Sequence, residues 1–249
     1  MEPGADSSVP VTSLVNGQTL VALAVAHYGR APVFWGRYFS PGNSWAEYRH
    51  KSENAILRAN NIRVLPIAQQ TGKVNGSYAD GATDAESNVD DLIATFGQDY
   101  LSNYASDIYM FLDVEGAPNP ILTASYYEGW SNTLVAHSRR NLNGRQVLPC
   151  VYGVLSDAAT WNAVRDEVNS GRAPFFGAWV AAWPTSGCVP LPQNWDARHT
   201  AIPLPNGKYV LAWQYSNDCN GPNGFDCSVT NPNIDLNADL VSHLILPPG

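Results

Sequence analysis

Short apolar segments alternate along this chain with segments of helical periodicity. The apolar segments are rich in β-branched and aromatic residues, as is typical of buried strands. They predict strands at 33–39, 62–69, 108–115, 146–153, 175–183, 209–216 and 233–235. Strands that alternate with helices indicate βα units and a parallel sheet.

Helix boundaries support this alternation. Capping-box patterns, in which a hydroxyl and a later carboxylate satisfy the free amides, are present at 44–47 and 83–86. Thr123 and Ser156 are candidate N-caps for helices near 124–141 and 157–170. A further helix near 17–28 needs a strand before it, and this predicts a short strand in the N-terminal stretch that ends at Asp6.

The N-terminal strand brings the predicted set to eight. The segments at 184–208 and 217–233 lack a helical period, so the last strands are joined by loops. The fold class is therefore α/β, a modified TIM barrel of the (β/α)5(β)3 type with eight parallel strands and irregular last units. A single domain over residues 1–249 suits this length.

Composition narrows the function classes. Hydrophobic residues make up 45% and charged residues 14%, which excludes a disordered chain and a coiled coil. The net charge of −8 disfavours nucleic acid and anionic membranes as partners, and no window has the ~18 apolar residues of a membrane span. The 8 Trp and 12 Tyr favour a site that stacks sugar rings.

Four cysteines allow two disulfides. Cys219 and Cys227 bracket a short loop rich in Gly, Pro and Asn, so we predict that they pair and that Cys150 pairs with Cys188. Disulfides imply an oxidising compartment and a secreted protein. The alternative is four reduced thiols. No CxxC and no sequence-adjacent His accompanies these cysteines, so the sequence predicts neither a metal site nor a cofactor.

Paired carboxylates end the fourth predicted strand. Alternation places Phe111, Asp113 and Glu115 on one face and Leu112 and Val114 on the other. The chemistry of such barrels lies at the carboxyl ends of the strands, so both acids are expected in the barrel mouth. Their repulsion raises one pKa, which suits glycoside hydrolysis by one protonated and one ionised carboxyl group. The alternative is a pair of acids that cap a strand end or neutralise a metal.

The other predicted strand ends add candidate sugar-binding residues, which are Arg37, Tyr38, Gln69, Gln70, Tyr152, Trp183, Gln214 and Tyr215. Asp235 ends the last predicted strand. Together these side chains would form an acidic cleft with aromatic walls and amide hydrogen-bonding groups. Such a cleft fits a neutral carbohydrate.

Several motifs with their spacing extend over nearly the whole chain. They are GADSS at 4–8, GRY at 36–38, FLDVE at 111–115, WVA at 179–181, WQYS at 213–216 and IDLN at 234–237. In this combination the chain resembles the glycoside hydrolase family 25 muramidases. It is more closely similar to a related glycoside-hydrolase-like group, domain of unknown function 1906, because IAQQ at 67–70 replaces the aromatic motif of the lysozymes on the third strand.

The resemblance implies a flattened barrel of five βα units and three further strands. It assigns Glu115 as general acid, Asp113 and Asp235 as supporting carboxylates, and Asp6 as the first-strand aspartate. A substrate acetamido group acts as nucleophile in that family, so no protein nucleophile is implied. The assignment requires Glu115 and Asp235 to face the same cleft.

We therefore expect a secreted, monomeric glycosidase that cuts a cell-wall or extracellular polysaccharide without a cofactor or metal. Family 18 chitinases are disfavoured, because Phe111 stands at the first acidic position of their D-x-D-x-E motif. The main alternative is a barrel that binds glycan or cell wall through a vestigial site. Both would have the same rim residues, and only turnover separates them.

Overall fold

The computed structural model describes residues 1–39, 48, 50–69, 72–115 and 121–249, and the predicted capping box at 44–47 and Gln70 lie outside them. The first half contains β1 (Pro3–Asp6), β2 (Leu14–Val15), β3 (Gln18–Thr19), α1 (Leu20–Tyr28), β4 (Phe34–Phe39), α2 (His50–Ala59), β5 (Arg63–Ala68), α3 (Tyr78–Phe96) and α4 (Gln98–Ser102). The second half contains β6 (Ile108–Val114), α5 (Ala124–Asn141), β7 (Val147–Val154), α6 (Ala158–Asn169), β8 (Ala178–Ala181), β9 (Val210–Cys219), β10 (Phe225–Thr230) and α7 (Leu236–Asp239). None of the helices in the described ranges has the length and apolar character to span a bilayer.

Eight strands close a barrel in the order β1-β10-β9-β8-β7-β6-β5-β4. The predicted barrel is thus confirmed, including its N-terminal strand. Neighbouring strands are parallel except at β10, which runs antiparallel to both β1 and β9. The prediction of a fully parallel barrel was therefore wrong for the last strand, and residues 233–235 do not form a strand.

The polar inward face of β10 explains why its sequence does not resemble that of a buried strand. Phe225, Cys227 and Val229 pack in the layer between barrel and helices. On the opposite face, Asp226 approaches the Gln214 amide inside the barrel, and Ser228 accepts a hydrogen bond from a buried indole. A strand with polar groups on its interior face, set among Gly, Pro and Asn, looks like a loop in sequence.

Helix starts follow the predicted capping chemistry with shifts in position. The capping box at 83–86 lies inside α3, which begins earlier because Ser77 accepts from the Asp80 amide while the Asp80 carboxylate accepts from the Ser77 amide. Thr123 caps α5 as predicted. Helix α6 is capped by Asp157, one residue beyond the predicted cap.

The C-terminal segment closes the amino-terminal end of the barrel. Leu240 and Leu244 pack into the barrel interior, and His243 stacks on Tyr109 with ring centroids 4.2 Å apart. Backbone hydrogen bonds join Ile245 to the start of β5. This plug leaves the carboxyl ends of the strands as the end at which a site can form.

Both predicted disulfide pairings were wrong, because Cys188 bonds to Cys219. Gly187 hydrogen-bonds to β9 through both its N–H and its carbonyl, and this holds the loop against the strand. Cys150 faces the barrel interior, out of reach of Cys188 on the outside. Cys227 is buried and free.

Helices α3 and α5 approach so closely that their contact requires glycine. A Cβ on Gly129 would lie 2.0 Å from the carbonyl oxygen of Tyr78, and one on Gly81 would lie 2.2 Å from that of Tyr126. Neither backbone oxygen can move without separating the helices. The sequence therefore fixes this helix pair through two small residues.

We expect Gly129→Ala to lower the free energy of unfolding by about 1–3 kcal/mol, because overpacking outweighs the better helix propensity of alanine. The control is Gly72→Ala, where a Cβ meets no atom within 4 Å among the described residues. Urea unfolding followed by circular dichroism measures both variants. Equal stability of Gly129→Ala and the control would contradict the close contact.

Candidate active site

Acidic side chains from three strands meet at the carboxyl end of the barrel. Asp6 ends β1, Asp113 lies on β6 and Glu115 follows it, and Asp226 lies on β10 directly opposite Asp6 in the strand register. Asp6 and Asp113 are each only 2% exposed. Burial, and after it the negative charges of the other three acids, raise the pKa of Asp6.

The alternation expected along β6 delivers two of these acids. Phe111 packs inside the barrel, whereas Leu112 and Val114 pack between barrel and helices. Asp113 and Glu115 continue the inward face beyond Phe111. The inward face of this one strand thus supplies both an apolar residue inside the barrel and the acids at its carboxyl end.

Gln214 on β9 connects the cluster. Its Nε2 donates to Asp6 Oδ1 at 2.9 Å and to Asp226 Oδ2 at 3.4 Å. Its Oε1 accepts from the Tyr152 hydroxyl at 2.9 Å and from the Trp183 indole at 2.7 Å. One buried amide therefore fixes side chains from four other segments, and its orientation is set by donors on one side and acceptors on the other.

Two tyrosines line the cluster from β4 and β7. The Tyr152 hydroxyl also lies 3.5 Å from Glu115 Oε1. Burial, followed by the charges of the nearby acids, raises the pKa of Tyr38 and Tyr152 well above the usual tyrosine value. Both hydroxyls therefore stay protonated and can act as hydrogen-bond donors.

The acids titrate above their ordinary range. Burial is the main cause of a strongly raised pKa at Asp6, followed by the charge of Asp226, and the Gln214 amide acts in the opposite direction. Burial also raises the pKa of Glu115, against the hydrogen bond from Tyr152. At Asp226 burial raises the pKa to about 6, against the backbone amide of Asp218. Such shifts are typical of functional sites.

A pocket of about 230 Å³ leads to these acids. Its lining includes Ser7, Ser8, Tyr38, Gln69, Glu115, Asp218 and Asp226. The described lining contains acids, hydroxyls and an amide but no Lys or Arg. It suits a neutral, polyhydroxylated ligand and disfavours an anion.

A second, more apolar groove of about 280 Å³ lies beside the carboxyl ends of β7 and β8. It is lined by Val154, Leu155, Ala181, Trp183, Pro184 and His199, among others. Trp183 is 41% exposed, and its indole donates to Gln214. Its ring therefore stands next to the acid cluster with one part held and one part accessible.

Two predicted sugar-binding residues lie on the wrong face of their strands. Arg37 is completely buried towards α2, where it forms an ion pair with Glu53 at 3.0 Å and donates to the Ser7 carbonyl at 2.8 Å. Tyr215 packs in the layer between barrel and helices. The inward residues are their neighbours Tyr38 and Gln214, because side chains alternate.

Asp235 also lies away from the cluster. It follows β10, whose reversed direction carries the chain to the plugged end of the barrel, and it caps α7 by accepting from the Asn237 and Ala238 amides. Glu115 and Asp235 therefore do not face the same cleft, and this contradicts the requirement of the assignment based on resemblance. Asp226 lies in the cluster instead, and its only sequence signal was the alternation of polar residues with Phe225, Cys227 and Val229.

The raised pKa of Asp226 predicts a pH-dependent stability. Between 3.8 and about 6 the unfolded carboxyl is ionised while the folded one holds its proton, so stability falls as pH rises through this window. Asp226→Asn removes this loss and should raise the free energy of unfolding by roughly 1–3 kcal/mol at pH 7, with little difference at pH 3.

Urea unfolding from pH 3 to pH 8 tests this, with the exposed Asp235→Asn as control. A gain for Asp226→Asn that stays constant over the whole pH range would contradict the raised pKa.

Comparison with known proteins rests on structure. No family model matches the chain, and no curated protein matches it. An uncharacterized protein from B. stearothermophilus is similar with a TM-score of 0.66 and 21% identity, over 98% of this chain and 100% of that one. A muramidase from Trichobolus zukalii matches with a TM-score of 0.58 and 16% identity, over 98% and 99%.

A family 25 glycosyl hydrolase from Bacillus anthracis matches with a TM-score of 0.51 and 14% identity, over 94% of this chain and 90% of that one. At such low identity the match concerns the backbone architecture. The chain has the fold of the family 25 glycosyl hydrolases, as its sequence motifs predicted.

Proposed function

We propose that this protein hydrolyses a glycosidic bond in a cell-wall or extracellular polysaccharide, with Glu115 as the general acid. The observation that carries the proposal is the position of Glu115. It is half-buried, reaches the polar pocket, and has a pKa raised by burial. A raised pKa favours the protonated carboxyl group, which can protonate a glycosidic oxygen.

One of the other acids supplies negative charge beside Glu115. Asp113 is buried on the same strand face, where an ionised carboxylate stabilises the positive charge that develops on the sugar ring. The strongly raised pKa of Asp6 favours its protonated form, so Asp6 acts as a hydrogen-bonding neighbour. Gln214 holds Asp6 in place, and the Tyr152 hydroxyl lies within reach of Glu115. Asp226 takes the supporting position that the sequence had assigned to Asp235.

The resemblance and the neighbours agree on the substrate class. The motifs are similar to those of muramidases, and a muramidase is among the structures that share the fold. We propose peptidoglycan as the first substrate to test. The Cys188–Cys219 disulfide supports a secreted protein. We also propose that the protein is a monomer with a single domain, and that it is related to the group called domain of unknown function 1906.

Glu115→Gln is expected to reduce release of glycan fragments by at least about 100-fold, because general acid catalysis contributes about 10²–10⁴-fold. Binding to the polymer should persist, since the amide keeps the shape of the side chain. The control is Asp235→Asn, which should cut like the wild type because Asp235 lies at the plugged end. Mass spectrometry of products from peptidoglycan, chitin, and α- and β-glucans measures release.

The same screen separates an enzyme from a binding module. Retained binding to one polymer with no release by the wild type would replace the proposed hydrolase by a glycan-binding barrel. Loss of turnover in Asp235→Asn but not in Glu115→Gln would refute the assignment of the acid.

Trp183 tests the sugar-binding groove. Trp183→Ala should raise KM or Kd about 10-fold, because stacking of an aromatic face on a sugar is removed, whereas Trp183→Phe keeps a ring and should retain most of the affinity. Tyr209→Ala removes another exposed aromatic residue at the start of β9, away from the site, and serves as control. Equal affinity of Trp183→Ala and the wild type would exclude this groove as a subsite.

A further inference from the structure

Three sulfur atoms and an imidazole meet on the outside of the barrel, in a cluster that the proposed hydrolysis does not use. Cys219 ends β9, Cys227 lies on β10, His27 lies on α1, and Cys188 comes from the loop after β8. The ligand atoms of His27, Cys219 and Cys227 all lie within 4.8 Å of one another. The fourth, the Cys188 sulfur, is bonded to that of Cys219.

We propose that these four side chains form a zinc site when the Cys188–Cys219 disulfide is reduced. Three thiolates and one imidazole are a common ligand set for tetrahedral structural Zn²⁺. Zinc–ligand bonds of about 2.0–2.3 Å place neighbouring ligand atoms about 3.5–3.8 Å apart. His27 Nε2 already lies 3.9 Å from Cys227 Sγ, so this pair needs a contraction of only about 0.4 Å. The widest pair of the three, within 4.8 Å, needs about 1 Å, and the sulfurs of Cys188 and Cys219 move apart when their bond is reduced.

The surroundings of the cluster fit a metal. Burial lowers the pKa of His27, and a hydrogen bond with the Val189 backbone acts in the opposite direction. A backbone carbonyl on one ring nitrogen is the usual partner that orients a metal-binding histidine. Burial keeps the imidazole neutral, as a zinc ligand must be. Cys188 is exposed, which gives the ion a route from solvent.

Cys227 has no disulfide partner and no role in the acid pocket. Burial raises the pKa of its thiol to about 11, although the hydroxyls of Tyr28 and Tyr215 act in the opposite direction. The free thiol is therefore protonated and unreactive at neutral pH. A bound zinc ion deprotonates a coordinating thiol outright, and the Tyr215 hydroxyl can then donate to the thiolate, whereas the Tyr28 hydroxyl already donates to the Gly4 carbonyl.

The change of state balances chemically. A thiol reductant, which becomes a disulfide itself, supplies the two electrons that convert Cys188–Cys219 into two thiols. One Zn²⁺ then displaces a proton from each of Cys188, Cys219 and Cys227, while His27 binds through a neutral ring nitrogen. The loop after β8 is thus fastened to the β9–β10 hairpin by a disulfide in oxidising surroundings and by zinc in reducing ones.

Cobalt titration of the reduced full-length chain, with a phosphine reductant and no oxygen, tests the site. We expect one Co²⁺ per chain with the charge-transfer and visible bands of a tetrahedral thiolate complex, loss of these bands on addition of Zn²⁺, and a higher Tm with zinc. The oxidised protein should show no such bands.

Variants decide which side chains bind. Cys227→Ser and His27→Gln should each weaken cobalt binding by more than 10-fold, because even the loss of an outer-shell partner costs about 10–100-fold. Cys150→Ala, which removes the other buried free thiol, should bind like the wild type. Circular dichroism confirms that each reduced variant is folded. The absence of thiolate bands in folded, reduced wild type, or their persistence in both Cys227→Ser and His27→Gln, would overturn the proposal.

Discussion

The closure of the barrel by a reversed last strand is the constraint on which the site depends. Because β10 runs antiparallel between β1 and β9, its beginning lies at the carboxyl end of the barrel, next to the end of β1. Asp226 therefore faces Asp6. The same reversal sends the following chain to the opposite end, where Leu240 and Leu244 fill the barrel and Asp235 caps a short helix.

Closure also concentrates negative charge where water is largely excluded. Buried acids repel each other and lose hydration, so protons are retained above the usual carboxyl range. The barrel tolerates this because Gln214 supplies two donors to Asp6 and Asp226, and hydroxyls of Tyr38 and Tyr152 stay protonated nearby. The raised pKa values lower the free energy of unfolding at neutral pH, and they also leave carboxyl groups that can transfer protons. This pattern is expected of a catalytic site rather than of a packed core.

Local rules predicted much of this arrangement and failed where partners are distant in sequence. Alternation along the fourth barrel strand placed Asp113 and Glu115 correctly, because the apolar residues beside them define both faces. The same alternation separates Arg37 and Tyr215, which face outward, from their inward-facing neighbours Tyr38 and Gln214. Outside the barrel, Arg37 forms an ion pair with the buried Glu53 on α2, a partner that no local sequence pattern reveals.

The cysteines show a different limit. Proximity in sequence favoured Cys219 with Cys227, but the β9–β10 register pairs Cys219 with Phe225 and leaves Cys227 beside His27. Cys227 follows Asp226 directly and points to the opposite face of the strand. A single step from one residue to the next on β10 thus connects the acid pocket to the sulfur cluster. Interactions that hold Cys227 beside α1 and the loop after β8 therefore also hold the backbone that places Asp226 opposite Asp6.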